Sequence, residues 1–121
     1  RRAYHIVSEN NRVLAISAAL KAHNMAEFGK LLLEGHQSLK NYYEITCVET
    51  DFLVDQLVGH EGIMGARQVG GGFGGCILAI VKEGSADQII ESVNARYLTA
   101  FGNKTRRIPI RISTGCHLSV D

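Results

Sequence analysis

Ile6, Val13, Ile16 and Leu20 recur at spacings of three, four and seven between residues 3 and 22, so this stretch is expected to be a helix with those four residues on one face. Asn24, with Glu27 three residues later, forms a capping-box pattern that opens a second helix, lined on one side by Met25, Phe28, Leu32 and Leu39. Thr46 and Glu49 repeat the signal, Phe52, Leu53 and Leu57 follow, and Gly59 is the expected stop. After that the period changes. The stretch from Ile63 to Val69 is short and partly apolar, and Cys76-Ile77-Leu78-Ala79-Ile80-Val81 is continuous and apolar, as expected of a strand buried on both faces. Ser85 and Gln88 open another helix, whose buried face is Ile89, Ile90, Val93, Tyr97 and Phe101 and whose end is Gly102-Asn103. Ile108, Ile110 and Ile112 alternate with polar or turn residues, which predicts a strand, with Pro109 placing it at a strand start or a sheet edge. Gly115 turns the chain, and residues 117–120 are expected to add a last short strand. Helices first, then strands joined by a tight turn with a helix between, read as an α+β sandwich.

Composition narrows this picture. The 121 residues are 45% apolar, with no linker-like stretch and no repeat, so one domain with its own core is expected over 1–121. Lys plus Arg number 13 against 12 for Asp plus Glu, which gives no electrostatic reason to expect nucleic acid or an anionic membrane as partner. No run approaches a membrane span and no leader pattern opens the chain. The three cysteines, Cys47, Cys76 and Cys116, are odd in number and not at metal-ligand spacing, so reduced thiols, no metal site and a cytoplasmic location are expected. A helix that begins at Arg1 suggests sequence upstream of it.

The most unusual segment is Gly70-Gly71-Gly72-Phe73-Gly74-Gly75. Glycine tolerates positive φ and lets a backbone approach another surface closely, so successive N–H groups here can converge into an anion nest. A tight hairpin or a close backbone crossing is the alternative, and both readings stand on the residues alone. Five glycines exceed what a two-residue hairpin needs. Phe73 is expected to anchor the loop by its ring, leaving the glycine backbone outside. The run is neither a G-x-x-x-x-G-K-[ST] loop nor a dinucleotide fingerprint, since no Lys and no long helix follow directly. Arg67, just upstream, is a candidate accessory residue for a phosphate or a carboxylate; an exposed strand arginine is the other reading. Glu49 and Asp51 read as helix-dipole partners rather than an acid/base pair. His5 and Glu9 read as a helix-surface contact, and Tyr42-Tyr43 as rings packed under the helices. His60-Glu61 lacks the second His of a metal motif.

The stretch Gly65-Ala66-Arg67-Gln68-Val69-Gly70-Gly71-Gly72-Phe73-Gly74-Gly75-Cys76 resembles the third signature motif of the galactokinase family, within the wider group of sugar, homoserine and mevalonate kinases. Tyr43 to Asp51 is similar to the family's stretch just before that motif, as is Ala3 to Asn10 with Arg12-Val13 to an earlier one. Gln68-Val69 departs from the Met-Thr expected there, Val48 from a common proline, and Asn41-Tyr42 from common acidic residues. The resemblance implies a ferredoxin-like C-terminal domain elaborated with extra N-terminal helices. It implies that residues 70–75 border a cleft shared with an N-terminal catalytic domain, where ATP, Mg²⁺ and galactose meet and the anomeric hydroxyl takes the γ-phosphoryl group. The family's sugar signature, nucleotide loop and catalytic aspartate have no match here. No catalytic residue is therefore expected in this chain, and the fragment alone is expected to bind no cofactor and to be inactive. The rival expectation is a freestanding ferredoxin-like module that binds an anion or regulates. An RNA-binding sheet is disfavoured, because the strands lack paired aromatics.

Overall fold

The computed structural model describes residues 1–116. Four helices, α1 (Arg2–Lys21), α2 (Met25–Ser38), α3 (Val48–Val58) and α4 (Ala86–Phe101), accompany a two-stranded antiparallel sheet, β1 (Ile63–Val69) and β2 (Cys76–Val81). A π-helical turn, Leu39–Tyr43, continues α2. The α+β class expected from the element order holds.

Local signals explain most boundaries. The Asn24 side chain accepts a hydrogen bond from the Glu27 N–H at 3.1 Å and starts α2. The third helix starts one residue later than expected: Cys47 is its cap, and the Cys47 N–H donates to Thr50 Oγ1 at 3.1 Å. The Thr46/Glu49 pattern is therefore displaced by one residue, because Thr50 is the hydroxyl that reaches back to the free N–H. Gly102, at φ 73°, ends α4 in the left-handed conformation a side chain resists.

Val54 and Leu57 of α3, Ala66 of β1, and Ile89 and Val93 of α4 form the apolar core, and Val54 and Ala66 are fully buried. Phe52, Tyr97 and Phe101 extend it with edge-on and tilted ring contacts, centroids 4.7 to 6.2 Å apart. Tight packing between α2 and β1 depends on small residues. A β-bulge leaves Met64 as the extra residue between Ile63 and Gly65. A Cβ on Gly65 would lie 2.7 Å from the Gly29 Cα, and one on Gly29 would run into the Met64 carbonyl.

Packing decides which face of α1 turns inward, and it is not the apolar stripe: Ile6, Val13 and Leu20 are 48%, 59% and 44% exposed. Its inward face is His5, Ser8, Glu9, Arg12, Ile16 and Ala19. Spacing identifies the faces of a helix, but here polar bonds to α2 and β1 decide which face turns inward. Two expectations are corrected. First, β2 is half-buried along most of its length rather than enclosed on both faces; among the described residues it pairs with β1 alone. Second, the alternation at Ile108, Ile110 and Ile112 forms no strand, and these side chains are 55%, 71% and 103% exposed. An alternating segment becomes a strand only against a partner edge, and no described strand pairs with it. The short strand expected at 117–120 lies outside the described residues.

Candidate functional site

Val69 pairs with Cys76, so residues 70–75 connect β1 to β2 as a hairpin loop. The hairpin reading of the glycine run is thus correct as geometry, but the loop is not a simple turn. Gly70, Gly72, Gly74 and Gly75 all take positive φ, from 94° to 133°, and Phe73 joins them at 56°. A phenylalanine held at positive φ is strained, and such strain persists where surrounding contacts fix the backbone.

Those contacts come from Ile45. The Phe73 N–H donates to the Ile45 carbonyl at 2.6 Å. A Cβ on Gly72 would stand 2.7 Å from the Ile45 Cβ and 2.9 Å from its carbonyl oxygen. Phe73 is therefore an anchor by its backbone, not by its ring: the ring is 77% exposed, contrary to the expectation that it enters the core. The loop has two sides. Gly72 is packed on Ile45, whereas a Cβ on Gly70, Gly71 or Gly74 would meet nothing within 4 Å among the described residues. The backbone of those three residues is open to another surface, as an anion nest requires.

Arg67 lies in β1 and is neither exposed nor free. Its Nη1 donates to Glu9 Oε1 of α1 at 2.5 Å, and its side chain is 16% exposed. Arg12 pairs with the other Glu9 oxygen. Gly35 of α2 leaves space for the guanidinium, since a Cβ there would lie 2.6 Å from Arg67 Nη1. Burial pushes the Glu9 carboxyl up, but the Arg67 hydrogen bond and charge, together with Arg12, outweigh it and hold Glu9 below the usual carboxylate range. Arg67 thus meets a carboxylate of its own chain. His5 does not pair with Glu9 as a surface contact. It is buried, shares a 2.8 Å hydrogen bond with Ser38, and stacks on Tyr43 with centroids 4.7 Å apart. Tyr42 meets Tyr4.

Beneath the loop sits a polar group that spacing did not single out. His36 of α2 is 1% exposed, and its Nδ1 accepts the Gln68 N–H at 3.2 Å. That bond puts the ring proton on Nε2, which donates to Asp51 Oδ1 at 3.2 Å. Lys40 pairs with the second Asp51 oxygen at 3.1 Å. Asp51 therefore does more than complement the α3 dipole. Burial lowers the His36 pKa, against the opposing pull of Asp51. The Gln68 side chain, also 1% exposed, donates from Nε2 to the Ile45 carbonyl at 3.2 Å. The one signal available for Gln68 was its departure from the residue expected in the resembled motif. His36 carried none. Among the described residues no group of three or more His, Cys, Asp or Glu side chains is placed to hold a metal ion.

Residues 16–98 match the family model described as GHMP kinases C terminal. The chain is 48% identical over 102 residues to the galactokinase of Thermotoga maritima, covering 84% of this chain and 29% of that protein. It is 43% identical over 115 residues to the galactokinase of Thermosipho africanus, covering 95% of this chain and 33% of the other. Among solved structures, that of Lactococcus lactis galactokinase complexed with galactose superimposes with a TM-score of 0.80 at 38% identity, covering 83% of this chain and 26% of that one. The chain spans about a third or less of the length of these relatives.

Proposed function

Since this chain belongs to the GHMP kinase family, as a C-terminal domain of that family, we propose that residues 1–121 are the C-terminal domain of a two-domain galactokinase. In this reading the galactose anomeric oxygen attacks the γ-phosphorus of ATP. The bond from that phosphorus to the β,γ-bridging oxygen breaks, ADP leaves, and the hydroxyl proton goes to a base. The N-terminal catalytic domain supplies that base and the Mg²⁺ ligands; Mg²⁺, when bound, neutralises phosphate charge. The present chain contributes the loop Gly70, Gly71, Gly72, Phe73, Gly74 and Gly75, which borders the phosphate side of the cleft. Arg67 contributes indirectly, by holding α1 on β1 through Glu9.

The observation that supports this reading is the two-sided loop: Gly72 packs on Ile45 while Gly70, Gly71 and Gly74 carry open backbone. A hairpin required only to reverse the chain has no need of that open face. No helix among the described residues is long and apolar enough to cross a membrane, and we place the enzyme in the cytoplasm.

Gly71 gives a clean test. Its φ is not positive and a Cβ there meets nothing within 4 Å among the described residues, so Gly71→Ala is expected to leave the fold undisturbed. In the full-length protein, galactose-dependent ADP release is expected to fall about 100-fold, the scale of a misplaced reacting group, with the melting temperature unchanged. Wild-type turnover in that variant would remove the loop from the phosphate site. Absence of galactose-dependent ADP release in the wild-type protein would remove the kinase reading itself.

A further inference from the structure

We propose that Gln68 is a positioning residue for the glycine loop, acting through the carbonyl of Ile45; the proposal rests on reading that loop as the phosphate side of a kinase site. Gln68 lies two residues before the first glycine of the loop and is held at both ends. Its backbone N–H is fixed by His36 Nδ1, and its side-chain Nε2 donates to the Ile45 oxygen at 3.2 Å. The carboxamide orientation is set, because a carbonyl can only accept, so the amino group and not Oε1 faces Ile45. The same oxygen accepts the Phe73 N–H at 2.6 Å. One carbonyl therefore takes donors from both sides of Gly70–Gly72, and its two lone pairs are used.

Ile45 is itself held from behind. Glu44 ends the π-helical turn at φ 62°, and the Glu44 and Ile45 N–H groups both donate to the Leu39 carbonyl, at 2.7 and 3.3 Å. A rigid segment thus ties the start of the loop, through the Gln68 side chain, to its midpoint, through the Phe73 backbone. Gly72 completes the fit, since only a residue without a Cβ can lie this close to Ile45.

Gln68 is not an economical choice for packing alone. Its Oε1 is buried and has no hydrogen-bond partner among the described residues, where an apolar side chain of the same length would fill the space without an orphan acceptor. A residue that fits its site imperfectly for stability, yet makes a bond that fixes a strained loop, has its use in the loop.

The test is Gln68→Met in the full-length protein, with thermal melting, amide hydrogen exchange and steady-state kinetics. Methionine keeps the length and removes both the donor and the orphan oxygen. The melting temperature is expected to equal or exceed that of the wild type. Exchange at the Phe73 amide should quicken by about three- to tenfold, the factor one net hydrogen bond is worth, while Ala66 stays unchanged. The KM for ATP should rise by a similar factor and the KM for galactose should not. Unchanged exchange at Phe73 overturns the proposal whatever the activity. A lower melting temperature with equal loosening at Ala66 also overturns it, because Gln68 would then be a general structural residue. Faster exchange at Phe73 with both KM values unchanged upholds the positioning role and sinks instead the placement of the loop beside ATP. Gln68→Leu takes the place of the methionine variant, with the same readouts, if that variant fails to fold.

Discussion

The two sets of contacts made by β1 differ in kind. Through Ala66 the strand joins an apolar core with Val54, Leu57, Ile89 and Val93. Through Arg67 and Gln68 it joins a polar seam with Glu9, His36 and Ile45. Apolar burial is non-directional and scales with area, so the core supplies stability and tolerates small shifts. Hydrogen bonds hold their partners at fixed distances and angles, so the seam supplies position. The seam is the part that leads into the glycine loop. The difference teaches that the stabilising and the positioning contacts of this strand come from alternate or adjacent residues and can be broken separately.

Three further experiments would break or sharpen that division. The largest effect is expected for Val54→Ala, which empties a fully buried site. It should cost about 2 kcal/mol in denaturant unfolding, from two lost methyl groups and the cavity they leave. The KM for ATP in the full-length protein should stay at its wild-type value, and a large rise would show that core and seam are not separable. A smaller effect is expected for Glu9→Gln, which leaves Arg12 and Arg67 side by side without a carboxylate. Their side chains are 11% and 16% exposed, so screening is incomplete and the loss should be about 1 to 2 kcal/mol. Pairing it with Arg67→Met in a double-mutant cycle should show strong coupling, and additive losses would mean that the ion pair contributes nothing as a pair.

The smallest effect is a pH dependence. His36 is held neutral by burial, and its Nδ1 has a lone pair committed to the Gln68 N–H. The groups that act on it are Asp51 at Nε2, Lys40 on the other Asp51 oxygen, and Asp55. Its folded pKa is lowered, so its stabilising contribution is complete above the unfolded value of about 6.5. Below that pH the unfolded chain takes up the proton first, and stability falls until the folded pKa is passed. His5, lowered chiefly by burial, acts in the same direction over the same window. The melting temperature should therefore drop between pH 7 and pH 5, and less so in a His36→Phe variant measured against its own pH 7 value. An identical drop in both proteins would remove His36 from the effect.

Much of the helical half was legible in the residues. Asn24 caps α2 and Gly102 ends α4 because caps are short-range and use side chains a few positions apart. The apolar run Cys76–Val81 gave β2, and the glycine run gave the loop. Phe73 was misread because an aromatic ring suggests burial, whereas this one is held by its backbone N–H. The inward face of α1 was not legible from spacing. Its apolar residues form a regular stripe, yet Glu9 and His5 have partners on β1 and α2 that take them inward.

By itself the sequence determined the secondary structure of the helices, the position of the glycine loop and the resemblance to a kinase family, since each rests on neighbours in the chain or on an ordered motif. Tertiary structure alone decided which face of α1 is buried, that Arg67 spends its charge on Glu9, and that Gln68 and Phe73 share one carbonyl. The residues concerned are 58 positions apart in the Glu9–Arg67 pair, 32 in the His36–Gln68 bond and 23 in the Ile45–Gln68 bond. No local periodicity spans such separations: these contacts exist only because packing brings α1, α2 and the Ile45 segment onto the same strand.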